Sequence, residues 1–175
     1  FDIGYKALAV NLSDLAAMGA EPAWATLSLT LPSADEAWLE AFADGFFSLA
    51  DRHMLQLVGG DTSRGPLSVT VQVQGLVQRG AALRRNAACP GHRLFVTGTL
   101  GDAACALRRL QAARPLAPAL LERLNRPQPR VLPWRGGGRK EGEQPSPSSS
   151  NSSVGGIRPT RTPIRTRTAV AGCLA

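Results

Sequence analysis

The amino-acid sequence predicts an α/β or α+β fold in which helices cover a mixed sheet. Residues 2–18 and 35–53 repeat their apolar side chains with the period of a helix. Residues 25–31 and 67–74 instead alternate apolar and polar side chains, as half-buried strands do. With 175 residues and 43% hydrophobic content, the chain is long enough for a folded domain with its own core.

The first predicted helix, residues 2–18, is apolar around most of its circumference, which is typical of a buried helix. Gly19 follows as a natural C-cap, and Pro22 prevents the helix from continuing. The apolar positions are Ile3, Ala7, Leu8, Val10, Leu12, Leu15 and Met18.

Asp14 places a carboxylate among these apolar residues, and a buried charge must be paired, hydrogen-bonded or bound to a metal ion. Lys6 lies more than two helical turns away, which is too far for an ion pair along the helix. The alternative is that Ser13 or Asp14 caps a second short helix.

A strand and a helix follow. Leu27, Leu29 and Leu31 share one face of the predicted strand 25–31, and hydroxyl side chains occupy the other face. The helix predicted at 35–53 has a polar stripe, and its aromatic residues are expected in the core rather than around a cofactor.

The residues that organise the chain are Gly59, Gly60 and Asp61. Residues 55–58 are predicted to end a short buried strand, after which the two glycines let the backbone turn and approach a ligand. Asp61 would then present a carboxylate to a hard cation such as Mg²⁺, which usually accompanies phosphate. The alternative is a strand–turn–strand corner in which Asp61 only caps the turn.

The second half of the domain begins with the strand 67–74. Arg79, Arg84 and Arg85 follow in a loop, where they could clamp phosphate oxygens or lie on a solvated surface. Further along, the sequence predicts a short buried strand at 94–96, a helix at 102–113 and a helical turn or two at 117–124. Asp102 is predicted to be the N-cap of its helix, although a helix start behind glycines can also hold an anion.

The charge is distributed unevenly between two parts of the chain. Residues 1–125 hold 11 basic and 11 acidic residues, whereas residues 126–175 hold 9 basic and 2 acidic residues and therefore carry the entire net charge of +7. Residues 130–175 are rich in Arg, Pro, Ser and Gly, so we expect a disordered basic tail. Nucleic-acid binding is not expected, because a single aromatic residue, Trp134, lies among the arginines of the tail and the folded part is neutral.

Several functional classes are excluded by what the sequence lacks. Cys89, Cys105 and Cys173 have no C-x-x-C spacing, which favours reduced thiols and a cytoplasmic location over disulfides or zinc. No apolar run approaches the ~20 residues that a membrane span needs. No Walker A pattern and no nucleophile–base arrangement is present, so we assign no catalytic nucleophile and expect any ATP to bind without a P-loop.

The chain contains two long motifs. Residues 5–20 read Tyr-Lys-Ala-Leu-Ala-Val-Asn-Leu-Ser-Asp-Leu-Ala-Ala-Met-Gly-Ala, and residues 57–65 read Leu-Val-Gly-Gly-Asp-Thr-Ser-Arg-Gly. With these motifs the chain resembles the thiamine-monophosphate kinase family. The resemblance extends through residues 79–85 and 96–102, and it covers residues 2–130 with the motifs in the expected order.

This resemblance implies a function and a fold. It implies the N-terminal ATP-binding domain of the aminoimidazole ribonucleotide synthetase-like fold, which binds ATP across a homodimer without a P-loop. The implied reaction moves the γ-phosphoryl group of ATP onto thiamine monophosphate, with Mg²⁺ ions between the phosphates. By the same resemblance, Asp14 and Asp61 are Mg²⁺ ligands, Gly60 and Asp61 contact the nucleotide, and Arg85 contacts the ATP phosphates.

The chain also departs from the family's pattern. The family has upstream Gly-Asp-Asp and Ser-Thr-Asp metal-binding motifs that precede the part present here, and nothing like its downstream Asp-x-Ser-Asp-Gly motif follows Pro129. We therefore expect residues 1–129 to form a partial kinase domain with the start of a second domain, and residues 130–175 to be read in a shifted frame. The alternative function is an inactive fragment that at most binds nucleotide or dimerises.

Overall fold

The computed structural model describes residues 1–131 with their side chains, together with the backbone of residues 166–174. Helices and strands succeed one another much as the sequence predicts, and the α/β fold class is confirmed. The elements are α1 (Asp2–Ala17), β1 (Glu21–Leu31), α2 (Glu36–Arg52), β2 (Gln56–Arg64), β3 (Ser68–Gln78), α3 (Asp102–Gln111), α4 (Pro118–Asn125) and β4 (Thr166–Leu174).

The sheet is mixed, as predicted, and its order is β2-β1-β3-β4. Strand β1 pairs in parallel with β2 and antiparallel with β3. Strand β2 is therefore an edge strand. The prediction that residues 55–58 are buried is right for Leu55, and Leu57 is half-buried and packs against the core. The prediction is wrong for Gln56, which is exposed, and for Val58, which is 57% exposed and lies at the register shift with no partner on β1.

The two faces of the sheet have opposite character, because side chains alternate along each strand. On β1 and β3, Leu29, Leu31, Val71 and Val73 are buried in the core shared with the helices. The opposite face carries the intervening polar residues Thr26, Ser28, Thr30, Thr70, Gln72 and Gln74. We refer to these six residues and their neighbours on β2 as the polar face.

Helices α1 and α2 pack against each other through two glycines. A Cβ added to Gly4 would lie 2.0 Å from the carbonyl oxygen of Phe42, and one added to Gly45 would lie 2.0 Å from that of Phe1. The start of α2 is fixed by Asp35, whose carboxylate accepts a hydrogen bond of 3.0 Å from the backbone N–H of Trp38. Both predicted helices are confirmed.

The tail differs from its prediction over nine residues. The backbone of β4 pairs antiparallel with β3, with Thr166 opposite Gln78 and Leu174 opposite Thr70. Its β-branched threonines and valine favour a strand, and β3 offers it an edge with free backbone groups. The disorder predicted for residues 132–165 lies outside the described residues.

The strand predicted at residues 94–96 is not formed. Leu94 is 94% exposed, Phe95 75% and Val96 59%. No strand in the described part of the chain lies beside them, so their backbone groups have no ladder to join. Among the described residues, no helix has the length and apolar character required to cross a membrane.

Candidate functional site

Asp14 lies in the last turn of α1 and is half-buried. The helix runs without interruption to Ala17, so the alternative that Asp14 or Ser13 caps a second helix is wrong; the Ser13 hydroxyl donates instead to the carbonyl of Ala9 at 2.9 Å. Within the described residues the Asp14 carboxylate has no hydrogen-bond or ion-pair partner. A negative charge is unfavourable near a helix C-terminus, so a bound cation would stabilise this position.

Asn11, one turn before Asp14, is a polar residue that the sequence reasoning missed. Its side chain is fully buried, and its amide nitrogen donates to the carbonyl of Ala7 at 2.8 Å. Its amide oxygen has no partner among the described residues. An amide in an otherwise apolar helix was the available signal, because a buried polar group costs stability unless it is hydrogen-bonded.

The loop that carries Arg85 is attached to the end of the same helix. The backbone N–H of Leu83 donates to the carbonyl of Met18 at 3.1 Å, just after α1. The Leu83 side chain packs over Gly19, where an added Cβ would lie 3.7 Å from Leu83 Cγ. Arg84 and Arg85 are both exposed. The structure therefore brings the Arg85 loop and the Asp14 helix together.

Gly60 does not form the predicted turn, because β2 continues through both glycines to Arg64. Gly60 has φ 150°, and a Cβ there would lie 1.8 Å from the carbonyl oxygen of Leu27 on β1. Just before Gly60, the pairing of β1 with β2 skips Val58, so that Ala25 lies opposite Leu57 and Thr26 lies opposite Gly59. The packing of β1 thus requires glycine at position 60, whereas an added Cβ on Gly59 would meet no atom within 4 Å.

Asp61 is exposed and lies on the polar face, opposite Ser28 of β1. Two residues further on, the hydroxyls of Ser63 and Thr30 are 3.2 Å apart, which shows that this side of β2 faces the same way as the hydroxyls of β1. Within the described residues the Asp61 carboxylate has no partner. It is a free carboxylate among hydroxyl oxygens, which are groups that suit a hydrated hard cation or a phosphate.

Asp14 and Asp61 are not brought together. Asp14 belongs to the helix layer, where the neighbouring Leu15 packs against Gly75 of β3, and Asp61 lies on the other face of the sheet. In the part of the chain that the structure describes, no group of three or more His, Cys, Asp or Glu side chains could hold a metal ion. Each carboxylate could therefore supply a single protein ligand to an ion that also binds phosphate and water.

The start of α3 forms a separate feature. Gly101, with φ 91°, is the N-cap, so the prediction that Asp102 caps the helix is wrong. The Asp102 carboxylate instead pairs with Arg123 of α4 and accepts from the hydroxyl of Thr99. These residues line a cavity of about 690 Å³ between α1, α3 and α4.

Known proteins match about three-quarters of the chain. Residues 1–77 match the family described as AIR synthase related protein, N-terminal domain. The thiamine-monophosphate kinase of Escherichia coli (strain K12) is 56% identical over 136 residues, and that of Bacillus subtilis (strain 168) is 41% identical over 139 residues. The match covers 75% of this chain and 42% of the E. coli protein, so the chain spans about two-fifths of the length of such relatives.

Solved structures of thiamine-monophosphate kinases have a similar fold over the matched part of the chain. The crystal structure of thiamine-monophosphate kinase from Stenotrophomonas maltophilia K279a is 57% identical, with a TM-score of 0.70 over 74% of this chain and 44% of that one. AaThiL complexed with AMPPCP and TMP is 33% identical, with a TM-score of 0.65 over 74% of this chain and 43% of that one.

Proposed function

This chain belongs to the thiamine-monophosphate kinase family, and we propose that it supplies the nucleotide- and metal-binding part of an enzyme. That enzyme would phosphorylate thiamine monophosphate. The reaction would move the γ-phosphoryl group of ATP onto the phosphate of thiamine monophosphate, giving thiamine diphosphate and ADP. The AaThiL complex with AMPPCP and TMP supports both substrates, because AMPPCP is a non-hydrolysable analogue of ATP.

The observation that carries this proposal is the pair of unpartnered carboxylates. Within the described residues, Asp14 and Asp61 accept no hydrogen bond and form no ion pair. Of the half-buried acids there, Asp2 pairs with Arg126 at 2.7 Å and Asp102 pairs with Arg123, whereas Asp14 has no partner. Asp61 is exposed, and what distinguishes it is its place among the hydroxyls of the polar face. Two carboxylates kept free of protein partners suit a function in which their partners arrive with the substrate.

Mg²⁺ is the cation we propose for these residues. Oxygen ligands and accompanying phosphates are the environment that this ion prefers, and when bound it neutralises the charge of the phosphates that react. Asp14 would hold one ion near the Arg85 loop, whose guanidinium would contact a phosphate. Asp61 would hold a second ion beside the hydroxyls of the polar face, with the backbone of Gly60 next to the nucleotide.

The test replaces each carboxylate with its neutral isostere. We expect Asp14→Asn and Asp61→Asn each to weaken Mg²⁺–ATP binding to the 175-residue chain at least ~10-fold, because a lost charge-assisted ligand costs more than ~1.4 kcal/mol. Isothermal titration calorimetry gives the affinities, and circular dichroism verifies the fold. Asp44→Asn, on the exposed surface of α2, is the matched control and should leave binding unchanged. Failure of the unsubstituted chain to bind Mg²⁺–ATP, or equal affinity in all variants, contradicts the proposal.

A second candidate is a nucleotide-binding or dimerising module without catalytic activity. What favours it is that the chain spans about two-fifths of the length of the kinases it matches, whereas phosphoryl transfer needs donor, acceptor and metal charges in one place. The exposed apolar residues Leu94, Phe95 and Val96 favour association between copies. A homodimer is therefore part of both candidates, and sedimentation of the purified chain tests it.

A cytoplasmic location is also part of the proposal. Its support is that Cys89 and Cys105, the cysteines of residues 1–131, are free thiols rather than a disulfide.

A further inference from the structure

We propose that Leu83 is a positioning residue, which fixes the Arg85 loop against the end of the helix that carries Asp14. This inference rests on the proposed function, in which Arg85 and Asp14 serve the same nucleotide. Leu83 belongs neither to the predicted metal ligands nor to the predicted nucleotide contacts.

Ala82 and Leu83 are the two half-buried residues in a long stretch of chain. All the remaining residues from Gln78 to Gly101 are exposed. Arg84 and Arg85 therefore have no burial of their own to hold them. Their placement depends on the residue just before them.

The attachment at Leu83 combines a hydrogen bond with apolar packing. Its N–H donates to the carbonyl of Met18 at 3.1 Å, which is one of the carbonyls that the end of α1 would otherwise leave unpaired. Its side chain packs over Gly19, whose φ of 69° turns the chain away from the helix and leaves the space that Leu83 fills. Ala82, the residue before it, packs against the hydrophobic core.

This attachment sets the distance between the two charged groups. Arg85 follows Leu83 by two residues, so their Cα atoms are at most ~7 Å apart. Asp14 precedes Met18 by one helical turn, or ~6 Å along the axis. The Arg85 guanidinium and the Asp14 carboxylate could therefore both contact one polyphosphate, and the attachment at Leu83 holds their two segments together before any ligand binds. Pre-ordering of this kind raises affinity because less freedom is lost on binding.

The first measurement needs no ligand. In Leu83→Ala, hydrogen exchange at the amide of residue 83, which donates to Met18, should accelerate at least ~10-fold, while exchange within α1 up to Leu15 stays as it is, because only the loop is released. Leu94→Ala is the matched control, since Leu94 is 94% exposed in the same stretch and should change neither region. Unchanged exchange at the amide of residue 83 in Leu83→Ala overturns the inference.

The second measurement is a double-mutant cycle on Mg²⁺–ATP affinity. We expect Leu83→Ala to weaken binding ~5-fold, Leu83→Met to restore most of it, and Leu83→Ala to have no further effect in an Arg85→Ala background. An equal loss in both backgrounds would mean that Leu83 only supports the fold, and would overturn the positioning role.

The cycle also separates the two proposals. If Arg85→Ala weakens binding but Leu83→Ala does not, the positioning role alone is wrong. If Arg85→Ala leaves binding unchanged, the assignment of Arg85 in the proposed function is wrong, and the role of Leu83 in nucleotide binding is wrong with it.

Discussion

Gly59 and Gly60 are adjacent in the sequence but meet different surroundings on β2. An added Cβ at Gly60 would lie 1.8 Å from the carbonyl oxygen of Leu27 and 2.7 Å from its carbon, both of which are backbone atoms that cannot rotate away. At Gly59 the same atom would meet nothing within 4 Å. The sheet itself therefore requires glycine at position 60, whereas no neighbouring atom in the described residues requires it at position 59.

Alanine substitutions at Gly59 and Gly60 should therefore have different effects on the free energy of unfolding. Gly60→Ala should lower the free energy of unfolding by about 3 kcal/mol, from overpacking and an unfavourable backbone conformation. Gly59→Ala, as the matched control, should change it by less than about 1 kcal/mol. Urea denaturation measures both values. Equal stability of the two variants would mean that β2 does not pass this close to Leu27.

His53 gives the chain a pH-dependent contribution to stability. Burial lowers the pKa of its imidazole, and the neighbouring charge of Arg52 lowers it further. Because the folded-state pKa lies below the ordinary value of about 6.5, the unfolded state binds the proton more readily. This contribution is complete above pH ~6.5 and is lost as the pH falls through that value toward the lower folded-state pKa.

We therefore expect the free energy of unfolding to fall less steeply between pH ~7.5 and ~5 in His53→Gln than in the unsubstituted chain. Denaturant titrations at several pH values measure this slope. Arg52→Gln is an informative companion, since it removes the weaker of the two causes and should reduce the slope only partly. An identical slope in all three proteins would contradict the role of His53.

At the scale of elements, the contact between α1 and α2 depends on glycines within helices. Glycine is a poor helix former, and alanine in its place would favour an isolated helix by about 1 kcal/mol. At Gly45, however, an added Cβ would lie 2.0 Å from the carbonyl oxygen of Phe1 and 2.9 Å from the amide nitrogen of Tyr5. The backbones of the two helices therefore lie so close at Gly45 that no side chain fits between them.

Gly45→Ala should destabilise the fold in spite of its higher helix propensity. Overpacking in a rigid contact costs about 3 kcal/mol, so the net loss should be about 2 kcal/mol. Thermal unfolding followed by circular dichroism measures it. Asp44→Ala, one residue earlier on the exposed side of the same helix, should change stability by no more than about 0.5 kcal/mol. A stabilised Gly45→Ala variant would show that propensity outweighs packing here.

At the scale of the whole molecule, the sheet separates the two halves of the candidate site. The helix layer carries Asp14 and the attached Arg85 loop, and the polar face carries Asp61 and its neighbouring hydroxyls. Phosphoryl transfer depends on positioning and on electrostatic stabilisation of the reacting group, and a misplacement of about 1 Å can already reduce a rate ~100-fold.

We expect the purified 175-residue chain to form no thiamine diphosphate from ATP and thiamine monophosphate above background. The reason is that the chain spans about two-fifths of the length of the kinases it matches, whereas phosphoryl transfer needs the complete set of charges around donor and acceptor. Chromatographic detection of thiamine diphosphate makes the measurement, with a full-length thiamine-monophosphate kinase as the positive control. Product formation that Asp61→Asn abolishes would show that the 175-residue chain already holds a sufficient site.

Local patterns in the sequence determined most of the secondary structure. The alternation around Val71 and Val73 specified β3, and the helical periods specified α1 and α2, because these signals arise between residues a few positions apart. The same patterns indicated that Asp14, Asp61 and Arg85 carry chemistry, and the two motifs around Asp14 and Asp61 led to the family.

Only the tertiary structure decided how distant parts of the chain lie relative to one another. Residues 94–96 have the composition of a buried strand, yet a strand forms only where another strand pairs with it. Gly60 is needed because β1 lies against it, and Leu83 is placed by a carbonyl of Met18 that lies 65 positions away in the sequence. Side-chain type reveals which groups can bind phosphate or Mg²⁺, but packing of the helices on one face of the sheet decides which of them can meet.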